Sequence, residues 1–470
     1  MTPTARLQAA IDLLTEVLAT PRPADAVASA FFRARRYIGA KDRTDVAEKV
    51  YGILRRWARL HWWLNRAGYG GVNADGTAQP AVDARALLIA DELLTRGRSA
   101  SSVAEHFNGG KFAPLPLEAH ERALIQALET HTLEHPQQPD AVVAEVPDWA
   151  ADTLRTALGE RFVPEMQAML GAAPMDLRVN PVKGTREQAL AALAKAGVQA
   201  EPTKISALGI RVRNRFPIAT LKAFQDGLLE IQDEGSQLVA FAANPQPGQQ
   251  VVDFCAGAGG KTLAIAAMMA NKGRVIACDV LDGRLKRAQE RFRRAGLHNI
   301  ETRPLKSARD PWVKRHKGRF DRVVVDAPCS GTGTWRRNPD ARWRQLGPGL
   351  SELLPLQAEI LDSAARLVRP GGRLVYATCS LLPEENQDQV TSFLASHPDF
   401  SLLPVTEAWP EGMGTPPSTN GMLSLSPARH DTDGFFAAVM VRKEAAAGAA
   451  EAEEGAEEGT EDPGEDVAEA

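Results

Sequence analysis

The first 150 residues have apolar side chains at helical spacing. Within residues 6–18 they recur every three or four positions, at Leu7, Ile11, Leu14 and Leu18. This spacing places them on one face of a helix. We therefore predict a helical bundle over residues 1–150.

The pattern changes over residues 151–235. Two strand-like stretches at 176–181 and 209–213 flank an alanine- and leucine-rich helix at 185–196, which Gly197 ends. This order predicts a small α+β module.

Residues 236–442 alternate between continuous apolar runs and amphipathic stretches. Predicted strands lie at 251–254, 274–279, 320–328 and 372–379, and predicted helices lie at 261–270, 283–296, 356–368 and from about Glu384, with Pro383 in the first helical position. Apolar strands separated by helices are typical of a sheet that is buried on both faces. The expected fold class is α/β, with a doubly wound, mostly parallel sheet.

Charge is distributed unevenly along the chain. Residues 443–470 contain eleven acidic residues, one lysine and a single valine as their largest apolar residue, which predicts a disordered acidic tail. The other residues comprise 54 basic and 48 acidic side chains, a net charge of +6 that suits an anionic partner.

No apolar run approaches the roughly 18 residues needed to span a bilayer, and the first residues lack the features of a signal peptide. We expect a cytoplasmic protein without a membrane partner.

Residues 31–66 combine basic and aromatic side chains. The basic residues are Arg33, Arg35, Arg36, Lys41, Arg43, Lys49, Arg55, Arg56 and Arg59, and the aromatic residues are Tyr37, Tyr51, Trp57, Trp62 and Trp63. This composition fits an RNA-binding surface, and it also fits an amphipathic bundle with an aromatic core. Both interpretations stay open for the arginines, whereas a core position is favoured for most of the tryptophans.

A glycine-rich turn follows the first predicted strand of the sheet. Residues 255–262 read CAGAGGKT and lead into a helix, and Asp279 ends the next strand. Such a turn lets the backbone approach a ligand, the start of the helix offers free N–H groups, and the acid can bind ribose hydroxyls. These features serve a dinucleotide or S-adenosylmethionine, but the dinucleotide spacing would need a glycine at Thr262.

The four cysteines form neither a CxxC pair nor a cluster with histidine, so we predict no disulfide framework and no metal site. Cys278 lies inside a predicted strand and is interpreted as a core residue; Cys255 is interpreted in the same way, with a backbone that can touch a cofactor. Cys329 and Cys379 each follow a predicted strand end, which is where ligands bind in open α/β sheets. If the two strands are neighbours, both thiols project into one cleft.

Two thiols in one cleft fit methyl transfer to carbon 5 of a cytosine. This carbon is a poor nucleophile. A thiolate that adds to carbon 6, with an acid supporting N3, converts the ring into an enamine that can attack a methyl group. The adduct must then lose the carbon 5 proton and expel the thiol, so one cysteine attacks and a second group helps release.

Three motifs resemble the NOP/Sun family of RNA cytosine-5 methyltransferases: FCAGAGGKT at 254–262, DAPCSG at 326–331 and YATCSLLPEEN at 376–386. RVNP at 178–181 and QDEGSQL at 232–238 fit its upstream regions, so the resemblance covers about 175–442. Residues 1–150 are also similar to the NusB-like RNA-binding domain of the bacterial ribosomal members. The resemblance implies a Rossmann-like methyltransferase domain at 236–442, S-adenosylmethionine as cofactor, and an RNA substrate, with ribosomal RNA favoured over transfer RNA. A monomer is expected.

The resemblance also implies roles for individual residues. Cys379 would be the nucleophile, Cys329 would aid product release, Asp326 would lie between target base and methyl donor, and Lys261 would lie near the base. The implied cofactor contacts are Cys255, Ala256, Gly257, Ala258, Gly259, Gly260, Lys261, Asp279, Arg284 and Asp326, with Asp279 and Arg284 on the ribose side. Two positions depart from many relatives, which have proline at Ala258 and an adenine-contacting acid where Ser307 is nearest.

Three other functions fit the sequence less well. A catalytically idle RNA-binding protein is disfavoured because both cysteines, Asp326 and the glycine loop are intact, and cofactor binding would distinguish it. A nucleotide-dependent oxidoreductase is disfavoured by the missing third glycine. DNA cytosine methyltransferases resemble this chain in the Pro-Cys motif, but they attack from that cysteine and lack the Thr-Cys thiol.

Overall fold

A computed structural model describes residues 1–72, 79–213 and 216–444. The acidic tail predicted at 443–470 lies outside the described residues, apart from Lys443 and Glu444. Within the described ranges, no helix is both long enough and apolar enough to cross a bilayer.

The N-terminal part is helical. Its helices are α1 (Pro3–Leu18), α2 (Ala24–Ala34), α3 (Ala40–Arg55), α4 (Trp57–Arg66), α5 (Ala84–Leu94), α6 (Ala100–His106), α7 (Ala119–Leu128), α8 (Asp140–Val143), α9 (Asp148–Leu158) and α10 (Phe162–Ala168). Helices α1–α7 enclose one apolar core, which includes Leu7, Ile11 and Leu14 of the predicted stripe. Helices α8–α10 contribute to a separate core with Trp335 and Leu382 from the C-terminal part, and α9 runs across residue 150.

A small antiparallel sheet follows. Its elements are β1 (Met175–Val179), α11 (Arg186–Lys195), β2 (Ala200–Pro202), β3 (Gly209–Val212), α12 (Lys222–Gln225) and β4 (Leu229–Ile231), and the strand order is β2-β3-β1-β4. Thr185 caps α11 by accepting the N–H of Gln188, and Gly197 follows the helix with a φ of 75°. The cap and the glycine fix the two ends of the predicted helix.

The C-terminal part is built on a larger sheet. Its elements are α13 (Glu234–Ala243), β5 (Gln250–Asp253), α14 (Gly260–Met268), β6 (Arg274–Asp279), α15 (Asp282–Ala295), β7 (Ile300–Pro304), α16 (Pro311–Arg315), β8 (Phe320–Asp326), α17 (Leu350–Ala365), β9 (Val368–Thr378), α18 (Gln387–Ser396), β10 (Phe400–Leu403), α19 (Val405–Ala408), β11 (Ser418–Thr419), β12 (Met422–Leu425), α20 (Pro427–His430) and β13 (Phe435–Arg442). The order is β11-β12-β13-β9-β8-β5-β6-β7, with β10 beside β13.

Helices cover both faces of this sheet, as the apolar strands predict. In β8, Val324 packs in a core with α13–α15, whereas Val323 and Val325 pack in a core with α16–α18. Strands β5 and β8 are parallel neighbours although β6 and β7 lie between them along the chain. The strand order therefore reverses at this pair and opens a crevice at the carboxyl ends of the strands.

Two details of the C-terminal part differ from the expectation. Strands β5–β9 form the expected parallel sheet, but β10–β13, which were not predicted, extend it through antiparallel pairs. The helix expected from Pro383 is a single 3-10 turn, Pro383–Glu385, and α18 begins at Gln387. The backbone of Asn386 (φ −112°, ψ −104°) leaves the helical region and interrupts the helix.

The segment between β8 and α17 connects the C-terminal part to the helical part. The Asp340 carboxylate accepts the N–H of Ala24 at 2.8 Å, and the Trp343 indole donates to the carbonyl of Leu54 at 2.8 Å. Arg342 donates to the carbonyl of Glu145 at 2.9 Å. We call residues 339–344 the docking segment.

Candidate active site

The two strand-end thiols lie next to each other. Strands β8 and β9 are parallel neighbours, with Asp326 opposite Ala377. The chain continues from these positions into two adjacent loops, and the sulfur atoms of Cys329 and Cys379 are 3.4 Å apart. The expectation that the thiols share one cleft is therefore met by the topology of the sheet.

The glycine loop crosses the same end of the sheet between β5 and α14. Gly257 and Gly259 have φ angles of 55° and 78°, and a Cβ atom on Gly259 would lie 2.5 Å from the Phe292 ring. The Asp279 carboxylate accepts the N–H of Gly257 at 2.8 Å and that of Leu281 at 2.7 Å. Asp279 therefore holds the loops after β5 and β6 in place.

A partly buried ion pair lies beside the thiols. The Lys261 ammonium is 2.6 Å from the Asp326 carboxylate and 5.4 Å from the centre of the Phe435 ring. Burial alone would lower the pKa of Lys261, but the charge of Asp326 and its hydrogen bond outweigh burial and raise that pKa. Lys261 therefore stays protonated at neutral pH.

A second carboxylate, Asp253, lies beneath the glycine loop without an ion-pair partner in the described chain. Its Oδ2 accepts the Thr262 hydroxyl at 2.6 Å, while its Oδ1 is buried without a hydrogen-bond partner in the structure. Burial raises the pKa of Asp253 to about 6.

The buried Glu385 fixes the loop that carries Cys329. Its carboxylate accepts the backbone N–H of Ser330 at 2.8 Å and also the hydroxyl of that residue. Gln357 donates both to this carboxylate and to the carbonyl of Pro328, each at 2.9 Å. The backbone is thereby held on both sides of Cys329, which limits the positions that its thiol can take.

The cysteines have different surroundings. The hydrogen bond to Cys379, followed by burial, raises the pKa of Cys329 well above its ordinary value. Burial also raises the pKa of Cys255 and of Cys278, and Cys278 is fully buried in the core as predicted.

A cavity of about 750 Å³ connects these features. Of the residues predicted to act in catalysis or to bind the cofactor, it is lined by Cys255, Ala256, Gly257, Ala258, Gly260, Lys261, Asp279, Arg284, Asp326, Cys329 and Cys379. Gly259 is not in the lining, because it turns toward Phe292 instead. Ser307 does line the cavity.

Several lining residues were not predicted: Ile231, Gln232, Ser236, Asp253, Arg291, Leu305, Leu356, Glu359 and Ile360. One signal was present for Arg291, which lies two turns after Arg284 on the same face of α15. No local motif marks Leu356, Glu359 or Ile360, because α17 begins only at Leu350, well after DAPCSG ends at Gly331.

Most of the predicted basic residues of 31–66 are engaged within the helical part. Lys49 pairs with Glu92 at 2.7 Å, and Arg56 pairs with Asp91 at 2.8 Å. The Arg59 guanidinium is 2.8 Å from Glu145. Trp63 is buried in the core, and Trp57 and Trp62 pack against it. The core interpretation is therefore confirmed for these tryptophans.

A smaller set of arginines is available to a partner. Arg33, Arg36 and Arg43 line an open groove of about 580 Å³ with Ser29 and Phe32. Neither Arg33 nor Arg36 has an acidic partner within the described part of the chain. Arg35, by contrast, lies 3.7 Å from the centre of the Phe31 ring and pairs with Glu16.

Comparisons with known proteins agree with this arrangement. A family described as 16S rRNA methyltransferase RsmB/F matches residues 240–441, and the ferredoxin-like domain of RsmF/B-like methyltransferases matches residues 146–219. The crystal structure of PH0851 superimposes with a TM-score of 0.73 at 25% identity, over 94% of this chain and 99% of that one. The structure of a methyltransferase homolog protein from Pyrococcus horikoshii superimposes with a TM-score of 0.54 at 28% identity, over 64% of this chain and 97% of that one.

Two curated relatives carry related names. Ribosomal RNA small subunit methyltransferase B of Salmonella newport is 31% identical over 418 residues, which cover 86% of this chain and 92% of that protein. Probable ribosomal RNA small subunit methyltransferase B of Synechocystis is 37% identical over 294 residues, 62% of this chain and 66% of that protein. The Rossmann-like fold and the family predicted from the motifs are confirmed, and the chain belongs to the RsmB/F family of ribosomal RNA methyltransferases.

Proposed function

We propose that this protein methylates carbon 5 of a cytosine in ribosomal RNA, with S-adenosylmethionine as methyl donor and Cys379 as covalent nucleophile. The observation that carries the proposal is the pair of thiols 3.4 Å apart beside a cavity of about 750 Å³. Methyl transfer that avoided a covalent adduct would need no thiol there.

The cavity fits S-adenosylmethionine in size and in chemistry. Its volume lies within the range of roughly 300–1,000 Å³ that ligand pockets have. Asp279 and Arg284 would hold the ribose side, and the loop at 255–259 together with the start of α14 would hold the amino-acid side. When bound, the cofactor supplies an electrophilic methyl group.

The protein's own residues would act on the base. The Cys379 thiolate would add to carbon 6 and form a carbon–sulfur bond, which displaces the electron pair of the carbon 5–carbon 6 double bond into the ring toward N3. The Lys261 ammonium, held by Asp326, would donate to N3, so that the ring becomes an enamine with a nucleophilic carbon 5. After methylation a base removes the carbon 5 proton, the double bond between carbons 5 and 6 returns, and the carbon–sulfur bond breaks with its electron pair on Cys379.

The contact between the two sulfur atoms supports this division of roles. Because the pKa of Cys329 is raised, its thiol keeps its proton at neutral pH. That S–H can donate to the sulfur of Cys379 across 3.4 Å, which would stabilise the leaving thiolate during release.

RNA as substrate is supported by the names of the relatives and by the net charge of +6 outside residues 443–470. In this proposal residues 1–150 form a NusB-like RNA-binding domain, 151–235 form a small α+β module, and 236–442 form the methyltransferase domain. The protein would act in the cytoplasm as a monomer.

Bisulfite sequencing of ribosomal and transfer RNA from a deletion strain tests the proposal. We expect one ribosomal cytosine to lose its carbon 5 methyl group, and the wild-type gene to restore it, whereas a Cys379→Ser gene should not. Loss of a transfer RNA position would change the substrate, and an unchanged pattern in both RNAs would contradict the proposal.

A further inference from the structure

The cavity is lined by both polar and apolar side chains. Lys261 and Asp326 are polar lining residues near the thiols. Three apolar lining residues, Leu305 after β7 and Leu356 and Ile360 on α17, belong to one packed cluster. An apolar slot of this kind fits a flat aromatic ring.

One carboxylate, that of Glu359, interrupts this apolar lining. Of the three aspartates that line the cavity, Asp279 accepts two backbone N–H groups and Asp326 pairs with Lys261. Asp253 accepts the Thr262 hydroxyl with one oxygen, and its other, unpartnered oxygen is itself buried. The recorded partner of Glu359 is Arg309, at 2.8 Å, whose side chain is 82% exposed. Since such an exposed ion pair is weak, the carboxylate can accept a hydrogen bond from a ligand.

The fold fixes the position of Glu359. Residues 359 and 360 lie three and four positions after Leu356, so the carboxylate stands beside the apolar wall on one face of α17. The hydroxyl of Ser363, one turn further on, donates to the carbonyl of Ala308 and ties α17 to the loop after β7. The acid and the slot are therefore held together.

We infer that Glu359 accepts a hydrogen bond from the exocyclic amino group of the cofactor's adenine and thereby selects adenine over a purine with a carbonyl at that position. The amino group donates to a carboxylate, whereas a carbonyl oxygen would face its negative charge. The inference rests on the proposed function and assigns a specificity role within that site.

The test is calorimetric titration of the full chain with S-adenosylhomocysteine and with S-inosylhomocysteine, whose purine carries the carbonyl. We expect the wild type to prefer the adenine ligand by about tenfold or more. Glu359→Gln should reduce this preference about tenfold, because its amide can donate to the carbonyl. Glu359→Asp, which keeps the charge on a shorter side chain, should retain part of the preference.

Glu352→Gln is the matched control, since Glu352 is exposed on the same helix and does not line the cavity. It should leave the preference unchanged. If Glu359→Gln binds S-adenosylhomocysteine with an unchanged preference, the role of Glu359 is overturned and the proposed function stands. If the folded wild type binds neither ligand, the proposed function fails and this inference fails with it.

Discussion

Buried carboxylates have ion-pair partners in the helical part, whereas one at the carboxyl edge of the large sheet has none recorded in the described chain. In the helical part, the fully buried Asp91 pairs with Arg56 and Arg96. At the sheet edge, Asp253 is equally buried, yet one of its oxygens has no partner in the structure and no ion pair is recorded for it in the described chain. The buried carboxylate of Asp91 thus stabilises the packing of the helical part through ion pairs, whereas the buried carboxylate of Asp253 lines the cavity without one. The two carboxylates should therefore contribute to stability with opposite signs.

The largest effect is expected from replacing Cys379 or Cys329 with serine, because the two substitutions should impair different steps of the reaction. Cys379→Ser removes the group that adds to carbon 6, so methylation should fall by about three orders of magnitude or more, with no adduct. Cys329→Ser leaves attack intact but impairs release, so enzyme should accumulate in covalent linkage to methylated RNA. Denaturing gels with labelled RNA and labelled cofactor measure both outcomes.

Two results would contradict these roles. A trapped complex in Cys379→Ser but not in Cys329→Ser would exchange the assignments. Methylation that persists in both variants, without trapping, would rule out the covalent mechanism. Cys278→Ser, in the core, is the control for loss of a thiol away from the cavity.

The contrast between Asp253 and Asp91 predicts opposite effects on stability. With a folded pKa of about 6 and an unfolded pKa of about 3.9, Asp253 costs stability as pH rises from about 4 to 6, and the loss of about 3 kcal/mol persists above that range. Asp253→Asn should therefore stabilise the protein at pH 7.5 and flatten this pH dependence.

Asp91→Asn is the matched substitution in the helical part. It should lower the free energy of unfolding by about 1–3 kcal/mol, because charge-assisted hydrogen bonds to Arg56 and Arg96 weaken. Urea unfolding at pH 4.5, 6 and 7.5 compares the variants. If both substitutions change the free energy of unfolding in the same direction at pH 7.5, the proposed difference between the two buried carboxylates is wrong.

Asp279 is expected to have a more moderate effect, on cofactor affinity. Asp279→Ala should weaken binding of S-adenosylmethionine by about 1.5–3 kcal/mol, because it removes ribose hydrogen bonds to a charged group and releases the N–H groups of Gly257 and Leu281. Calorimetry measures the loss, and Asp282→Ala on the exposed start of α15 is the control. Unchanged affinity would remove Asp279 from the cofactor site.

The smallest effect is expected from the arginine groove. Replacing Arg33 and Arg36 with alanine should reduce the slope of log affinity for RNA against log salt by about 2, if each contacts one phosphate. Arg35→Ala should leave the slope unchanged, since Arg35 is engaged by Phe31 and Glu16. Equal slopes for all three proteins would make the helical part a structural element only.

Sequence reasoning succeeded where order along the chain dictates position in space. Parallel strands end at one edge of the sheet, so the positions of Asp279, Cys329 and Cys379 at strand ends were enough to predict that they come together. The antiparallel strands β10–β13 were missed because most are short, and the long apolar run of β13 has no period that separates a strand from a buried helix.

Other features could not be predicted because they depend on partners that are distant in sequence. Arg59 pairs with Glu145, which lies 86 residues away along the chain. The sequence alone therefore could not show whether Arg59 binds RNA or packs within the bundle. Glu359 reaches the cavity only because α17 packs beside the loop after β7, and no local pattern encodes that packing.

The docking segment has a consequence for modularity. Fewer than twenty residues connect Cys329 to Trp343, whose indole bonds to Leu54, and Asp340 accepts the N–H of Ala24. Removing the helical part would expose the Trp343 indole and the buried Asp340 carboxylate, which follow the Cys329 loop along the chain. A chimera that exchanges helical parts between relatives should therefore keep activity only when residues 339–344 are exchanged as well. Although these residues lie within the C-terminal part of the chain, we expect them to evolve together with the helical part.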